Sequence, residues 1–241
     1  MTMTSWKRLV PAALALAGVL FAPLPVSAQT PIKIGASLSL TGTYAQPGTY
    51  QKEGYELCAD HVNAKGGLLG RKIEFVFYDD QSTPATGVRL YEKLITEDKV
   101  EAVMGPYSSP ITEAVANVSE KYQKVMVSPL AATTSIFKKG RKYIFMVLAP
   151  AEQYLEGLIE IGATKGLKTV AILNEDSLFP RATAQGTMAL AKKKGIQVVF
   201  HEAYPRGNID FSALLTRSAP PIPISSPSPP ISGTRWPSPA R

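Results

Sequence analysis

The sequence has very few of the side chains that bind metals or form disulfides. Its 241 residues include one cysteine, Cys58, and two histidines, His61 and His201. A single cysteine excludes an internal disulfide, and we expect it to be a small buried apolar residue rather than a reactive thiol. The two histidines lie far apart in the sequence, so neither a Cys/His metal site nor a cofactor is expected.

Long apolar runs are also absent, except near the start of the chain. There Lys7 and Arg8 precede an apolar segment at 9–21, and Val-Ser-Ala at 26–28 has the small-x-small pattern of a cleavage site. The apolar segment is too short, and too broken by prolines, to span a bilayer. We therefore predict that residues 1–28 are a signal peptide cleaved after Ala28, and that the mature chain is periplasmic.

The sequence contains no long segment in which charge of one sign is concentrated. The formal net charge is +7, and the basic runs at 138–142 and 192–194 lie beside glycines at helix ends or in loops. Cations are favourable there because the last carbonyl groups of a helix are exposed. No aromatic residues alternate with these charges, so we do not expect binding to nucleic acid.

Strand-like and helix-like segments alternate between residues 31 and 204. The strand-like segments, rich in Val, Ile, Phe and Tyr, are 32–38, 72–78, 100–105, 125–128, 143–148, 169–173 and 197–204. The helical segments are 50–64, 85–97, 111–122, 151–165 and 181–194. This alternation predicts an α/β fold with doubly wound parallel sheets, which bind ligands at the carboxyl ends of their strands.

Two loops after predicted strands carry small and hydroxyl-bearing residues. GPYSSP at 105–110 opens a helix, so Ser108 or Ser109 offers a hydroxyl where backbone N–H groups are unpaired. A carboxylate suits that place, although Ser109 could simply cap its own helix. SPLAATT at 128–134 follows the next strand, and its alanines allow a ligand to approach the backbone.

Enzyme motifs are missing. Asp79 and Asp80 resemble a catalytic carboxylate pair, but we expect them to end a strand and to cap the helix after Thr83. The sequence has no G-x-S-x-G nucleophile motif, and GGLLGRK at 66–72 lacks the spacing of a phosphate-binding loop. Binding without catalysis is therefore expected.

Residues 31–80, with the two loops above, resemble the periplasmic substrate-binding proteins of ABC transporters that are related to the leucine/isoleucine/valine-binding protein. The resemblance extends over about residues 31–217. It implies a two-lobe architecture, with a first lobe at 29–149, a partial second lobe at 150–217 and therefore an incomplete second lobe. The expected partners are a small amino acid-like ligand and a membrane permease, and the expected state is a monomer.

The same resemblance implies a set of ligand contacts. Serine in the GPYSSP loop would hold the ligand carboxylate, while the alanines and threonine of the SPLAATT loop would hold its ammonium. A tyrosine one turn into the first helix of the second lobe would close over the ligand. The residues concerned are Ser108, Ser109, Ala131, Ala132, Thr133 and Tyr154.

The last 24 residues, 218–241, differ from the rest of the chain. They contain 8 of the 20 prolines, 6 serines and no acidic residue. Because proline removes a backbone donor and fixes φ, this segment is either a disordered tail or the product of out-of-frame translation. We expect the incomplete second lobe to weaken ligand binding. A sensor domain of the same fold and a secreted α/β enzyme are the alternatives.

Overall fold

The computed structural model describes residues 29–208 and 210–218, so the predicted signal peptide and most of the Pro/Ser-rich segment lie outside the described residues. The packing of the chain divides it into two compact units. Of the described residues, the first contains 29–131 together with Gly140–Val147, and the second contains Ala132–Lys139 and the residues from Leu148 to Ser218. The sequence predicted a single boundary near Pro150. The segment Ala132–Lys139 groups with the second unit because Ala132 packs with residues there, as described below.

The first unit is a five-stranded parallel sheet with helices on both faces. The strands are β1 (Ile32–Leu38), β2 (Ile73–Asp79), β3 (Ala102–Met104), β4 (Met126–Ser128) and β5 (Ile144–Met146), in the order β2-β1-β3-β4-β5. The helices are α1 (Ala45–Ala64), α2 (Pro84–Thr96) and α3 (Ser109–Lys121). All strand pairs are parallel, so the predicted fold class is confirmed.

The two faces of this sheet are covered by different helices. Helix α1 lies over β1 and β2, where the Tyr55 ring stacks on Phe75 and Phe77 at 5.4 and 6.3 Å. Helices α2 and α3 pack on the opposite face, with Leu94 against Gly35 and Ser119 donating to the sulfur of Met126. The core of the unit lies mainly under α2 and α3.

Helix α1 begins five residues before the predicted start at Tyr50. The sequence contains Pro47 and Gly48, which normally end helices, but both lie in the first turn, where proline needs no hydrogen-bond donor. Gly48 has a packing role, because a Cβ there would lie 2.0 Å from the carbonyl oxygen of Ser39. The helix therefore starts against the loop that follows β1.

The second unit has a smaller, two-stranded parallel sheet of β6 (Thr169–Glu175) and β7 (Gln197–Tyr204). Its helices are α4 (Glu156–Thr164), α5 (Leu178–Lys193) and the short α6 (Ser212–Ser218). The predicted helix at 151–165 is wrong in one respect, because it is divided into a 3₁₀ turn at Ala151–Gln153 and α4.

Helix α6 begins two residues after Asp210. Asp210 accepts a hydrogen bond from the backbone N–H of Ser212 at 2.9 Å, as expected of a residue near a helix start. Leu214 is buried, whereas Leu215 is exposed.

Two further findings concern exposure. Within residues 29–208 and 210–218, no helix combines the length and the hydropathy needed to cross a membrane. Cys58 is exposed on α1, so the expectation of a buried cysteine is wrong. The buried residues of α1 are Gly48, Gln51, Tyr55 and Ala59, and Cys58 lies outside this stripe.

Candidate functional site

The loops after β3 and β4 approach each other closely at the carboxyl edge of the five-stranded sheet. A Cβ at Gly105 would lie 3.0 Å from the Cα, Cβ and Oγ atoms of Ser128. Glycine therefore lets the GPYSS loop pass beside the SPLA loop. The two sequence motifs are brought together as the strand order predicts.

Three buried side chains from the helices hold the end of β3 in place. The Gly105 carbonyl accepts hydrogen bonds from Gln51 Nε2 at 2.8 Å and from the Tyr55 hydroxyl at 3.1 Å. On the opposite face Tyr91, which is fully buried, donates to the Met104 carbonyl. Burial raises the pKa of Tyr55 and of Tyr91, so both hydroxyls remain protonated donors.

The hydroxyls of Ser108 and Ser109 have different roles. Ser108 is the N-cap of α3, and its Oγ accepts from the Ile111 N–H at 3.4 Å. Ser109 is the first residue of the helix and is buried. The capping role that the sequence considered for Ser109 therefore belongs to Ser108. Ser109 lies in the first turn of α3, at the N-terminus of the helix.

The loop between β1 and α1 is braced by Asp79, the last residue of β2, and by Asp80, which follows it. The fully buried Asp80 accepts from Ser39 Oγ at 2.7 Å, from Ser37 Oγ at 3.1 Å and from the Ser82 N–H at 2.9 Å. Asp79 accepts from the Thr41 hydroxyl at 2.7 Å and from backbone N–H groups nearby. The expectation that they cap α2 is wrong, because the N-cap of that helix is Thr83 and receives no side-chain hydrogen bond.

The pKa values of these aspartates move in opposite directions. Burial raises the pKa of Asp80 above its ordinary value, and the hydrogen bonds from Ser39, Ser82 and Ser37 only partly oppose this. For Asp79, burial acts in the same direction but is outweighed by hydrogen bonds, first of all from Thr41, so that its pKa is lowered. Both carboxylates are engaged in holding the loop, which leaves them no arrangement suited to acid/base catalysis.

An apolar groove of about 450 Å³ lies beside these loops in the first unit. Its walls combine the first turns of α1 with the loops after β3 and β4, and the Tyr107 ring also contacts Tyr44 at 5.3 Å. The lining residues are Pro47, Tyr50, Gln51, Gly54, Tyr55, Tyr107, Pro129 and Leu130.

The second half of the SPLAATT motif belongs to the second unit. Ala131 ends the first of the two chain segments that form the first unit, and Ala132 packs with Ala151 and Ala182 in a buried cluster of the second. The Ala132 carbonyl accepts from the Ala151 N–H at 2.8 Å. Thr133, which is buried, is the N-cap of the 3₁₀ turn at Thr134–Ile136. The motif predicted as one ligand loop is therefore shared between the units.

Tyr154 follows the 3₁₀ turn of the second unit and precedes α4. Its side chain is half exposed, and its ring meets Phe179 edge-on at 5.2 Å. The sequence placed it one turn into a continuous helix, whereas the structure places it at the break between the 3₁₀ turn and α4. Phe179, in the first turn of α5, was not identified from the sequence.

The sequence also missed Gln51 and Tyr55, which hold the Gly105 carbonyl. The available signal was their spacing with Gly48 and Ala59, which places all four residues on one face of α1. Among the described residues, no group of three or more His, Cys, Asp or Glu side chains is arranged to hold a metal ion.

Comparison with known proteins identifies the family to which this chain belongs. A family model described as "Periplasmic binding protein" matches residues 31–219. This chain belongs to the periplasmic binding protein family. Membership confirms the resemblance noted from the sequence and places the protein in the periplasm.

Relatives and solved structures agree with this membership. The Leu/Ile/Val-binding protein BraC3 of Rhizobium johnstonii is 32% identical over 207 residues, which is 84% of this chain and 54% of the relative. The branched-chain amino acid transporter substrate-binding protein LivJ of Streptococcus pneumoniae, in complex with isoleucine, is 28% identical with a TM-score of 0.67 over 78% of this chain and 53% of that one.

A third similar protein binds a different kind of acid. It is a solute-binding protein of an ABC transporter from Rhodopseudomonas palustris in complex with p-hydroxybenzoic acid, 28% identical, with a TM-score of 0.71 over 78% of this chain and 50% of that one. In each of these comparisons, the chain described here spans only about half the length of the relative that it matches. These relatives are solute-binding proteins and not enzymes, which confirms the prediction of binding without catalysis.

Proposed function

We propose that this chain is part of the substrate-binding component of an ABC transporter, and that its ligand is a small carboxylic acid with an apolar group. Isoleucine in the S. pneumoniae complex and p-hydroxybenzoic acid in the R. palustris complex both have this chemistry. The proposal includes export by a signal peptide cleaved after Ala28, and delivery of the ligand to a membrane permease.

One observation carries the proposal. The first turn of α3 opens at the carboxyl edge of the parallel sheet, with Ser109 in that turn and the SPLA loop beside it. The partial positive charge of a helix N-terminus favours a carboxylate at this position. Ser109 would donate its hydroxyl to the ligand carboxylate, while Ser108 fixes the turn.

The ammonium of an amino acid ligand would be held by the SPLAATT loop. The Ala132 carbonyl already accepts the Ala151 N–H, so Ala131 is the better carbonyl for this contact, with the Thr133 hydroxyl as the second acceptor. Tyr154 would contribute from the second unit, where its ring is half exposed.

We expect the 241-residue chain to bind weakly. A micromolar site corresponds to about −8 kcal/mol, and a chain that supplies half of that energy would bind with a dissociation constant in the millimolar range. Because the chain spans about half of its relatives' length, this is the affinity we predict for isoleucine and p-hydroxybenzoate.

Isothermal titration of the full chain, expressed with its own leader and purified from the periplasm, tests the proposal. The change Ser109→Ala should weaken binding about tenfold, because a hydrogen bond to a charged group contributes about 1.5 kcal/mol or more. Thr96→Ala, at the far end of α2, is the control and should leave binding unchanged. Equal affinities for the wild type and Ser109→Ala would contradict the proposed carboxylate site. Micromolar binding by the wild type would contradict the predicted weak affinity.

A further inference from the structure

The turn between β2 and α2 has a strained backbone. Gln81 and Ser82 have left-handed φ angles of 56° and 58°, although neither residue is glycine. Such angles are unfavourable for a residue with a Cβ atom, and they persist where the surrounding contacts enforce them, often near functional sites. The contacts of Ser82 show what enforces them here.

Ser82 is buried, and its hydroxyl joins this turn to the loop between β1 and α1. Its Oγ donates to the Thr41 carbonyl at 2.7 Å and accepts from the Tyr44 N–H at 3.0 Å. Its own N–H donates to the carboxylate of Asp80 at 2.9 Å. One serine therefore connects the turn to two residues that lie 41 and 38 positions earlier in the chain.

The turn and the loop fit closely against each other at Gly42. A Cβ atom at Gly42 would lie 2.8 Å from the Gln81 carbonyl oxygen and 2.8 Å from the Ser82 Oγ. The φ angle of Gly42 is also left-handed, at 81°, so glycine is required there for two reasons. Because the loop has no space to shift towards the turn, the position of Ser82 sets the path of the loop.

Tyr44 connects this loop to the candidate carboxylate site. It is the N-cap residue of α1, and its ring contacts the Tyr107 ring, with the centroids 5.3 Å apart and the planes tilted by 54°. Aromatic pairs at this separation attract each other. Tyr107 directly precedes Ser108, the N-cap of α3, and Ser109 follows. A series of contacts therefore runs from Ser82 through two aromatic rings to the first turn of α3.

We propose that Ser82 is a positioning residue for the ligand site. It fixes Tyr44, and the contact between the two tyrosine rings then fixes the loop that carries Ser109. This inference rests on the proposed carboxylate site and adds to it a residue that does not touch the ligand. Glycine would adopt the backbone of Ser82 without strain, but it would lack the hydroxyl that holds Thr41 and Tyr44.

The first test needs no ligand, so its outcome does not depend on the proposed function. Ser82→Gly and Gln81→Gly both relieve a left-handed residue, but only Ser82→Gly removes the hydroxyl. In NMR spectra of the isotopically labelled full chain, Ser82→Gly should shift the amide signals of residues 107–109 and weaken the nuclear Overhauser effects between the rings of Tyr44 and Tyr107. Gln81→Gly is the matched control and should leave both unchanged.

These spectra separate positioning from a purely structural role of Ser82. A structural role alone would lower the free energy of unfolding without moving the signals of residues 107–109. Unchanged signals there in a folded Ser82→Gly variant would therefore overturn the proposal. If Ser82→Gly does not fold, Tyr44→Ala tests the same path, because it removes the ring and keeps the N–H that donates to Ser82. Tyr44→Ala should shift the signals of residues 107–109, and a failure to do so would also overturn the proposal.

The second test is the affinity for isoleucine, measured by NMR titration. Ser82→Gly should weaken binding about threefold, less than the about tenfold expected for Ser109→Ala, because the Ser109 hydroxyl is displaced and not removed. In a Tyr44→Ala background, Ser82→Gly should cause no further loss, since the two residues act in series. An equal loss in both backgrounds would overturn the path through Tyr44. A wild type that binds neither isoleucine nor p-hydroxybenzoate would contradict the proposed function, and the ligand-free spectra would still decide whether Ser82 positions the loop.

Discussion

The two units of this protein contain similar sequence patterns but differ greatly in how completely they bury them. The first unit has five paired strands, and Leu38, Leu94, Ile111 and Met126 are among its fully buried side chains. The second has one pair of strands, while Leu158, Ile161 and Leu167 remain about 60% exposed. Two paired strands are marginal by themselves, so apolar periodicity alone does not report how much of a core a chain completes.

The largest expected effect concerns the approach of α1 to the loop after β1. Gly48→Ala would place a Cβ 2.0 Å from the Ser39 carbonyl oxygen, so we expect a loss of about 3 kcal/mol from the free energy of unfolding of the first unit. Chemical denaturation followed by circular dichroism measures this change.

Gly54→Ala in the same helix is the matched control. No atom lies within 4 Å of the added Cβ, so alanine should stabilise the helix by up to about 1 kcal/mol. If Gly48→Ala and Gly54→Ala behaved alike, the close packing of α1 against the loop would be contradicted.

A corresponding contact in the second unit should have a smaller effect. A Cβ at Gly186 would lie 1.9 Å from the Glu152 carbonyl oxygen. The loss cannot exceed the free energy of unfolding of the second unit itself. We therefore expect Gly186→Ala to lower that free energy by about 2 kcal/mol and to promote unfolding of the second unit only. In Gly186→Ala, the amide hydrogens of β6 and β7 should exchange faster than in the wild type, whereas those of β1 and β3 should exchange at the wild-type rate.

Gly157→Ala in α4 controls for the second unit, because nothing lies within 4 Å of its added Cβ. Exchange that accelerates equally in both units after Gly186→Ala would show that they unfold together, and the contrast between them would not hold.

A third prediction concerns the hydrogen bonds at the end of β3. Tyr55→Phe removes one donor to the Gly105 carbonyl and leaves the one from Gln51, so we expect a loss of about 1 kcal/mol. Tyr50→Phe removes an exposed hydroxyl from the same helix and should change the free energy of unfolding much less. Similar losses in the two variants would contradict the role given to Tyr55.

The smallest effect depends on pH. Burial raises the folded pKa of Asp80 above its unfolded value of about 3.9, so the stability gained from its protonated form is full below pH 3.9 and is lost as the pH rises through the folded pKa. Asp80→Asn cannot ionise and lacks this dependence. The stability of the wild type relative to Asp80→Asn should therefore fall as the pH rises from about 4 towards neutrality.

Urea unfolding at several pH values measures that difference, and Asp60→Asn, at an exposed position of α1, controls for the loss of one negative charge. A difference between the wild type and Asp80→Asn that stays constant with pH would contradict the raised pKa.

The sequence predicted the strands well and the packing between elements less well. β1 and β7 have the predicted bounds because apolar, β-branched runs between turn residues are a local signal. The start of α1 was missed because Pro47 and Gly48 break helices in isolation, and only the tertiary contact with Ser39 makes them suitable. The same reason applies to the burial of Asp80, since two of its three donors, Ser37 and Ser39, come from a distant segment at the end of β1.

The candidate site shows a similar division. The loops at 105–110 and 128–134 could be identified from their composition and their place after strands. Their division between two units could not, because it depends on the packing of Ala132 with Ala151 and Ala182. Family resemblance supplied the six ligand-contact residues, and their roles stay predictions.

Backbone amide shifts of the isotopically labelled full chain, recorded by NMR during titration with isoleucine, test the central claim most directly. We predict millimolar binding with shift changes concentrated at the N–H groups of Ser108, Ser109 and Ile111 and in the loop from Leu130 to Thr133. No change at saturating isoleucine and p-hydroxybenzoate, or changes confined to residues remote from both loops, would contradict the claim that these loops form the ligand site.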